Sequence, residues 1–178
     1  MIYQAISTIS QVINDYLKNR FSIVEDKVVV SNLVNADGSV AVTEPDKIII
    51  SLANLQQETV SHRGKAVTNK PVNLNLFILV SAHFESENYV EGLRYLSGVI
   101  SFFQANKTLN HANTPDLDNG IEKLSFEIVN QDLQNLSHLW GSIGSKYMPS
   151  VLYKVRMVSM QDGDMSEFNI PFTGFGTN

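Results

Sequence analysis

The 178-residue chain contains no cysteine, which excludes disulfide staples, thiolate metal sites and a cysteine nucleophile. Charge is also scarce: Asp, Glu, Lys and Arg make up only 17% of it, against roughly 25% in a typical globular protein. Asn, Ser and Gln are abundant instead, and such a surface suits contacts with other proteins. What charge there is sums to −5, with a pI near 5.3. No nucleic acid is expected as a partner, because affinity for a phosphate backbone comes mainly from Lys and Arg displacing counterions. No apolar run approaches the length of a membrane span, so no membrane insertion is expected. The opening "MIYQAISTISQV" lacks the basic stretch and unbroken apolar core of a signal peptide, which predicts a protein that is cytoplasmic at synthesis.

Periodicity supplies the positive signal. From Ile2 to Leu17 the residues Ile2, Ala5, Ile6, Ile9, Val12, Ile13, Tyr16 and Leu17 recur at three- and four-residue steps, with Gln4, Ser7, Gln11 and Lys18 on the other side, predicting an amphipathic helix. "FSIVEDKVVVSNL" reads as two short β-rich pieces around Glu25 to Lys27, and "NADGS" at 35–39 carries an Asp-Gly turn. "PDKIIISLANL" predicts a strand from Ile48 to Leu55, and polar 56–70 a loop or hairpin arm. "PVNLNLFILVSAHF" alternates first and then becomes apolar on both sides, as expected of a strand entering the middle of a sheet. A second helix is expected after Asn88, with Glu91 completing a near capping box and Val90, Leu93, Leu96, Val99, Ile100 and Phe103 on one face. Loop composition covers 108–120, and Leu124, Phe126 and Ile128 alternate as a strand. A third helix carries Leu133, Leu136, Leu139, Trp140 and Ile143 and ends at Gly144. Val151, Tyr153, Val155 and Met157 then alternate against Lys154 and Arg156 as a last strand. This order predicts one α+β domain over 1–160, a mixed or antiparallel sheet with about three helices packed on it.

Residues 161–178, "QDGDMSEFNIPFTGFGTN", differ in character. Gly and Pro punctuate them, yet Phe168, Ile170, Phe172 and Phe175 remain, where a disordered tail would shed its aromatics. They are read as a C-terminal extended arm that docks on a neighbouring subunit or on the tube.

Chemistry is thinly represented. His62, His83, His111 and His138 lie in separate segments without metal-ligand spacing. In "GSIGS" Ser142 stands at the end of an expected helix rather than in the strand-to-helix turn of a nucleophile elbow. Asp162, Asp164 and Glu167 lack the ligand spacing of a calcium loop, and Asp116 and Asp118 stand in a polar loop with no neighbour in sequence to shift them. No metal, cofactor or catalytic residue is expected. Trp140, on the apolar side of a short helix, reads first as a core anchor and second as an interface residue.

Several segments together resemble the tail terminators, or cap proteins, of contractile injection systems, typified by the N-terminal domain of the Pvc16-like and Afp16-like proteins. They are the helix "IYQAISTISQVINDYL", the strand "PDKIIISLANL", and the pair "PVNLNLFILVSAHF" and "YVEGLRYLSGVISFFQ". Most specific is "LSHLWGSIGSKYMPSVLYKV", with its Leu139-Trp140 pair, Gly-containing turn and Pro-Ser-x-x-Tyr start to a strand ending in Tyr153. The resemblance implies a phage tail-terminator-like fold, no enzymatic activity, and a homo-oligomeric ring, expected to be a hexamer. Such a ring ends the inner tube and sheath at the end distal to the baseplate. Its partners would be the inner tube protein and the sheath protein, and it would become part of the assembled injection particle. The chain stops soon after the last strand, so no task of an additional C-terminal domain carries over, and no contact is assigned to Arg63. By this reading Trp140, Leu139 and Tyr153 anchor the fold or an interface. The alternative is a small ligand-binding or enzymatic domain with a site assembled from distant residues, for instance His83 with Asp116.

Overall fold

The computed structural model describes residues 1–58 and 73–159. Helix α1, Ile2–Phe21, buries Ala5, Ile6, Ile9, Ile13 and Leu17, the stripe that the spacing predicts. Ser22 ends it in the left-handed conformation (φ 54°), donating its N–H to Lys18 O. Of the two β-rich pieces expected next, only β1, Val28–Val30, forms; the residues before it turn the chain out of the helix. The Asp-Gly turn closes a small loop in which Val34 bridges Val40. There Gly38 supplies a positive φ of 84°, and the Ser39 hydroxyl and N–H donate to Asp37, holding its carboxyl below the usual range.

Strand β2, Lys47–Gln57, is followed by β3, Leu74–His83, a 3-10 turn at Ser86–Asn88, and helix α2, Tyr89–Ala105. Strand β4, Thr108–Asn110, lies inside a stretch read as loop, because Leu109 turns inward against the core. Strand β5, Ile121–Ile128, helix α3, Leu133–Ile143, and strand β6, Ser150–Ser159, complete the described chain. The six strands form one mixed sheet in the order β1-β2-β3-β6-β5-β4, antiparallel throughout except for the parallel pair β1 and β2.

The sheet separates two cores. On one face α1 and α2 cover Ile48, Ile50, Leu76, Ile78, Val80, Leu124, Tyr153, Val155 and Met157. On the other, α3 and the 31–42 loop cover Ile49, Leu79 and Leu152. β3, in the middle, is buried on both sides, which explains why its second half lacks alternation.

Helix α2 departs from its expected face. Val90 and Leu93 are exposed, and the buried stripe is Gly92, Tyr95, Leu96, Gly98, Val99, Phe102 and Phe103. The two glycines are where neighbours come closest: a Cβ on Gly98 would stand 2.9 Å from Leu17 and one on Gly92 2.8 Å from Phe84. The near capping box does not form either. Asn88 is the N-cap residue without a side-chain cap, and its amide instead donates to Asp46 at 2.7 Å.

Candidate functional site

Helix α3 is an arm inserted between the antiparallel neighbours β5 and β6. Asp132 caps it, accepting the Asn135 N–H at 2.7 Å, and Gly144 ends it in the left-handed conformation (φ 75°), donating to Trp140 O at 3.0 Å. Gly141 lies within the helix, so the break before the last strand is shorter than a Gly141–Pro149 reading suggests. Pro149 O then accepts the Ala82 N–H at 2.9 Å, seating β6 beside β3.

Trp140 is 5% exposed and packs with Leu33, Ile49, Leu79 and Leu152, while Leu139 is half-buried against the same cluster. Tyr147 meets the indole edge-on at 5.6 Å between ring centroids. The indole N–H has no hydrogen-bond partner among the described residues. Tyr153 lies on the opposite face of the sheet, so the three residues do not share a site. It is 1% exposed, with Phe103 at 4.4 Å between ring centroids and Phe103 in turn 4.5 Å from Phe126. Burial pushes the Tyr153 hydroxyl up to about 12, and that hydroxyl too is without a partner among the described residues. Next to it a cavity of about 290 Å³ is lined by Phe103, Gln104, Lys107, Phe126, Ile128 and Tyr153.

The alternative site is not assembled. His83 ends β3 opposite Lys47, near the start of β6 where Ser150 pairs Ser81. Asp116 precedes Ile121, which pairs Ser159 at the other end of β6. The ten residues of β6, roughly 30 Å at strand rise, therefore separate the two. His111 Nε2 is 2.9 Å from Ile121 O, Asp118 accepts the Gly120 N–H in a turn, and the Ser142 hydroxyl donates to His138 O within α3. Among the described residues no group of three or more His, Asp or Glu could hold a metal ion, and no helix is long and apolar enough to cross a membrane. His62, Arg63 and most of the 56–70 loop, the Asp162, Asp164 and Glu167 cluster, and the arm residues Phe168, Ile170, Phe172 and Phe175 lie outside the described residues.

Two polar links were missed in the sequence. Asn14, 8% exposed on the inner side of α1, joins the helix to β1: its amide donates to Val28 O at 2.9 Å and accepts Val28 N–H at 2.8 Å. The signal was an Asn one helical turn from Ser10 on the apolar side, where such a side chain needs a partner. The second is Arg156, which reaches Glu58 at 2.7 Å across 98 residues of sequence, beyond any local pattern.

The matched proteins are assembly components. A sheath/tube terminator of an extracellular contractile injection system, PVC, in its extended state superposes with a TM-score of 0.59 at 16% identity, covering 100% of this chain and 62% of that one. The anti-feeding prophage tube-terminating cap superposes with a TM-score of 0.52 at 17% identity, covering 96% and 60%. At these identities the likeness is one of fold, and this chain spans about three-fifths of either structure's length. No curated protein matches. The family model of the Pvc16 N-terminal domain, however, matches residues 4–171, nearly the whole chain, and the protein therefore belongs to the Pvc16 N-terminal domain family.

Proposed function

We propose that the protein is a structural cap of a contractile injection system: a hexameric ring that ends the inner tube and sheath at the end distal to the baseplate. The observation that carries this reading is the family match over residues 4–171, joined to the fold shared with two tube-terminating proteins. The protein acts without catalysis, and its partners are copies of itself, the inner tube protein and the sheath protein. It is made in the cytoplasm and then becomes part of the particle.

A ring suits this task physically. Once one subunit docks on a six-fold tube, the others meet their sites at high effective concentration, so modest interfaces suffice. The weakly charged, Asn- and Ser-rich surface fits such contacts. Trp140 and Leu139 hold α3 against the sheet, Tyr153 anchors the helical face, and residues 161–178 are the arm that joins subunits.

The test is native mass spectrometry and negative-stain imaging of the purified chain, followed by coexpression with its tube and sheath proteins. Rings, and tubes that overgrow when the chain is omitted, are expected. A monomer at every concentration, with tube length indifferent to its presence, refutes the proposal.

A further inference from the structure

At both outer edges of the sheet an asparagine side chain stands where a neighbouring strand would pair. In β4 the Lys107 carbonyl accepts the Phe126 N–H across the pair with β5, so by alternation the N–H and C=O groups of Thr108 and Asn110 point away from the sheet. The Asn113 carboxamide bridges them. Its Nδ2 donates to Thr108 O at 2.8 Å and its Oδ1 accepts the Asn110 N–H at 2.8 Å, while Asn110 O accepts the Thr114 N–H at 2.8 Å. In β1 the Lys27 carbonyl and the Ser31 N–H bond to β2, which turns the groups of Val28 outward, and the Asn14 carboxamide takes both. Past the end of β1 the margin of β2 is broken in another way: its pairing register shifts between Leu52 and Asn54, and Asn54 Oδ1 accepts the Leu55 N–H at 2.8 Å.

We infer that Asn113 and Asn14 are edge guards: their carboxamides occupy the backbone groups through which a second copy of this chain would add a strand to the sheet. Unpaired strand edges recruit other chains, and proteins commonly blunt them with charged side chains, Lys above all. This chain is poor in charge, at 17%, and Thr108, Asn110, Val28 and Val30 carry none. A carboxamide does the same work uncharged, because it offers a donor and an acceptor at about the spacing of a peptide group. Asn14 acts from α1 and also ties the helix to the sheet. Asn113 is the purer case, an exposed side chain in a turn that closes the edge of a strand only three residues long. Without it, β4 of one copy is free to pair with β4 of another about a two-fold axis, joining two six-stranded sheets into one. A monomer needs this protection as much as a ring does.

The test removes the guard in the full chain and sets it against other losses of stability. Asn113→Ala frees Thr108 O and the Asn110 N–H. Asn113→Asp keeps the acceptor, loses the donor and puts a carboxylate at the edge, where it repels a second copy. Gly98→Ala strains the helical core at Leu17 and Phe21 instead. All three should fold by circular dichroism with lowered denaturation midpoints. By native mass and light scattering only Asn113→Ala should give species larger than the wild type reaches. Its Asn110 amide should exchange hydrogen at least about fivefold faster than in the wild type when dilute, the worth of one hydrogen bond, and slow again when concentrated. In the wild type that amide should be equally protected at low and high concentration, a readout that needs no variant and decides the matter should Asn113→Ala not fold. An alanine variant that stays at the wild-type size would overturn the inference. So would an aspartate or Gly98→Ala variant that associates as strongly, or a wild-type Asn110 amide protected only when concentrated.

Discussion

Asn14 gives the sharpest test of the packing. A buried position on the inner face of a helix would ordinarily favour leucine over alanine, since leucine buries more apolar area and forms helix well. Here the opposite order is expected. The Asn14 amide makes both hydrogen bonds to Val28, whose backbone is at the outer edge of β1 and whose residue is buried. Asn14→Ala removes two hydrogen bonds worth about 1 kcal/mol each. A polar groove of about 500 Å³ adjoins the position, lined by Ser7, Ser10, Gln11, Asp15, Lys18 and Asp26, so water can enter the space and serve both Val28 groups. The cost should therefore stay near 2 kcal/mol. Asn14→Leu fills that space, keeps the water out, and leaves a donor and an acceptor dry at about 1–3 kcal/mol each, for a total of about 4 kcal/mol. Urea denaturation followed by circular dichroism measures both. With a slope of about 2 kcal/mol/M, the midpoints should fall by about 1 M and 2 M. A leucine variant as stable as the alanine variant, or more so, would refute the claim that this amide serves the Val28 backbone.

Three further outcomes are expected. Trp140→Ala should cost about 3–5 kcal/mol, as for a large core truncation; an unchanged denaturation midpoint with lost ring formation would instead make Trp140 an interface residue. Gly98→Ala should destabilise by about 1–3 kcal/mol, because its Cβ meets Leu17 and Phe21 at 2.9 and 3.0 Å, whereas Gly141→Ala, inside α3 with nothing within 4 Å, should stabilise by up to about 1 kcal/mol; thermal melts decide both signs. Above pH 10 the unfolded chain gives up the Tyr153 proton, which the folded chain holds to about 12; this raised value contributes stability that is complete below pH 10 and declines by about 3 kcal/mol by pH 12. Tyr153→Phe should flatten that alkaline decline in denaturation profiles, leaving the smaller part due to buried Tyr95, whose hydroxyl burial also raises.

The elements that could be read from local order were those whose burial has a simple period. In α1 the apolar residues mark every third or fourth position, and in β6 Tyr153, Val155 and Met157 alternate, so burial and pattern coincide. Helix α2 broke the rule because its closest approaches are made at Gly92 and Gly98, which carry no apolar signal of their own. What packs there is the partner's side chain, Phe84, Leu17 or Phe21. Leu139 and Trp140 are near Tyr153 in sequence but on the opposite side of the sheet, a difference set by the α3 insertion between β5 and β6 and invisible in local order. The Asn14 link to Val28 and the cavity beside Tyr153 join segments far apart in the chain, and no window of residues contains them.

The position of β6 also governs when the protein can fold. The last of the described strands to leave the ribosome is inserted between β3 and β5, pairing with both. Until it emerges, the nascent chain holds two separate half-sheets, each with an apolar strand unpaired along its inner margin. Neither half encloses the complete core, because Tyr153, Val155 and Met157 join the helical side only with β6. Folding is thus deferred until Ser150–Ser159 has emerged, and the waiting intermediate exposes two margins able to pair with other chains. A chain interrupted anywhere before Ser150 is expected to aggregate rather than to persist as a smaller folded unit.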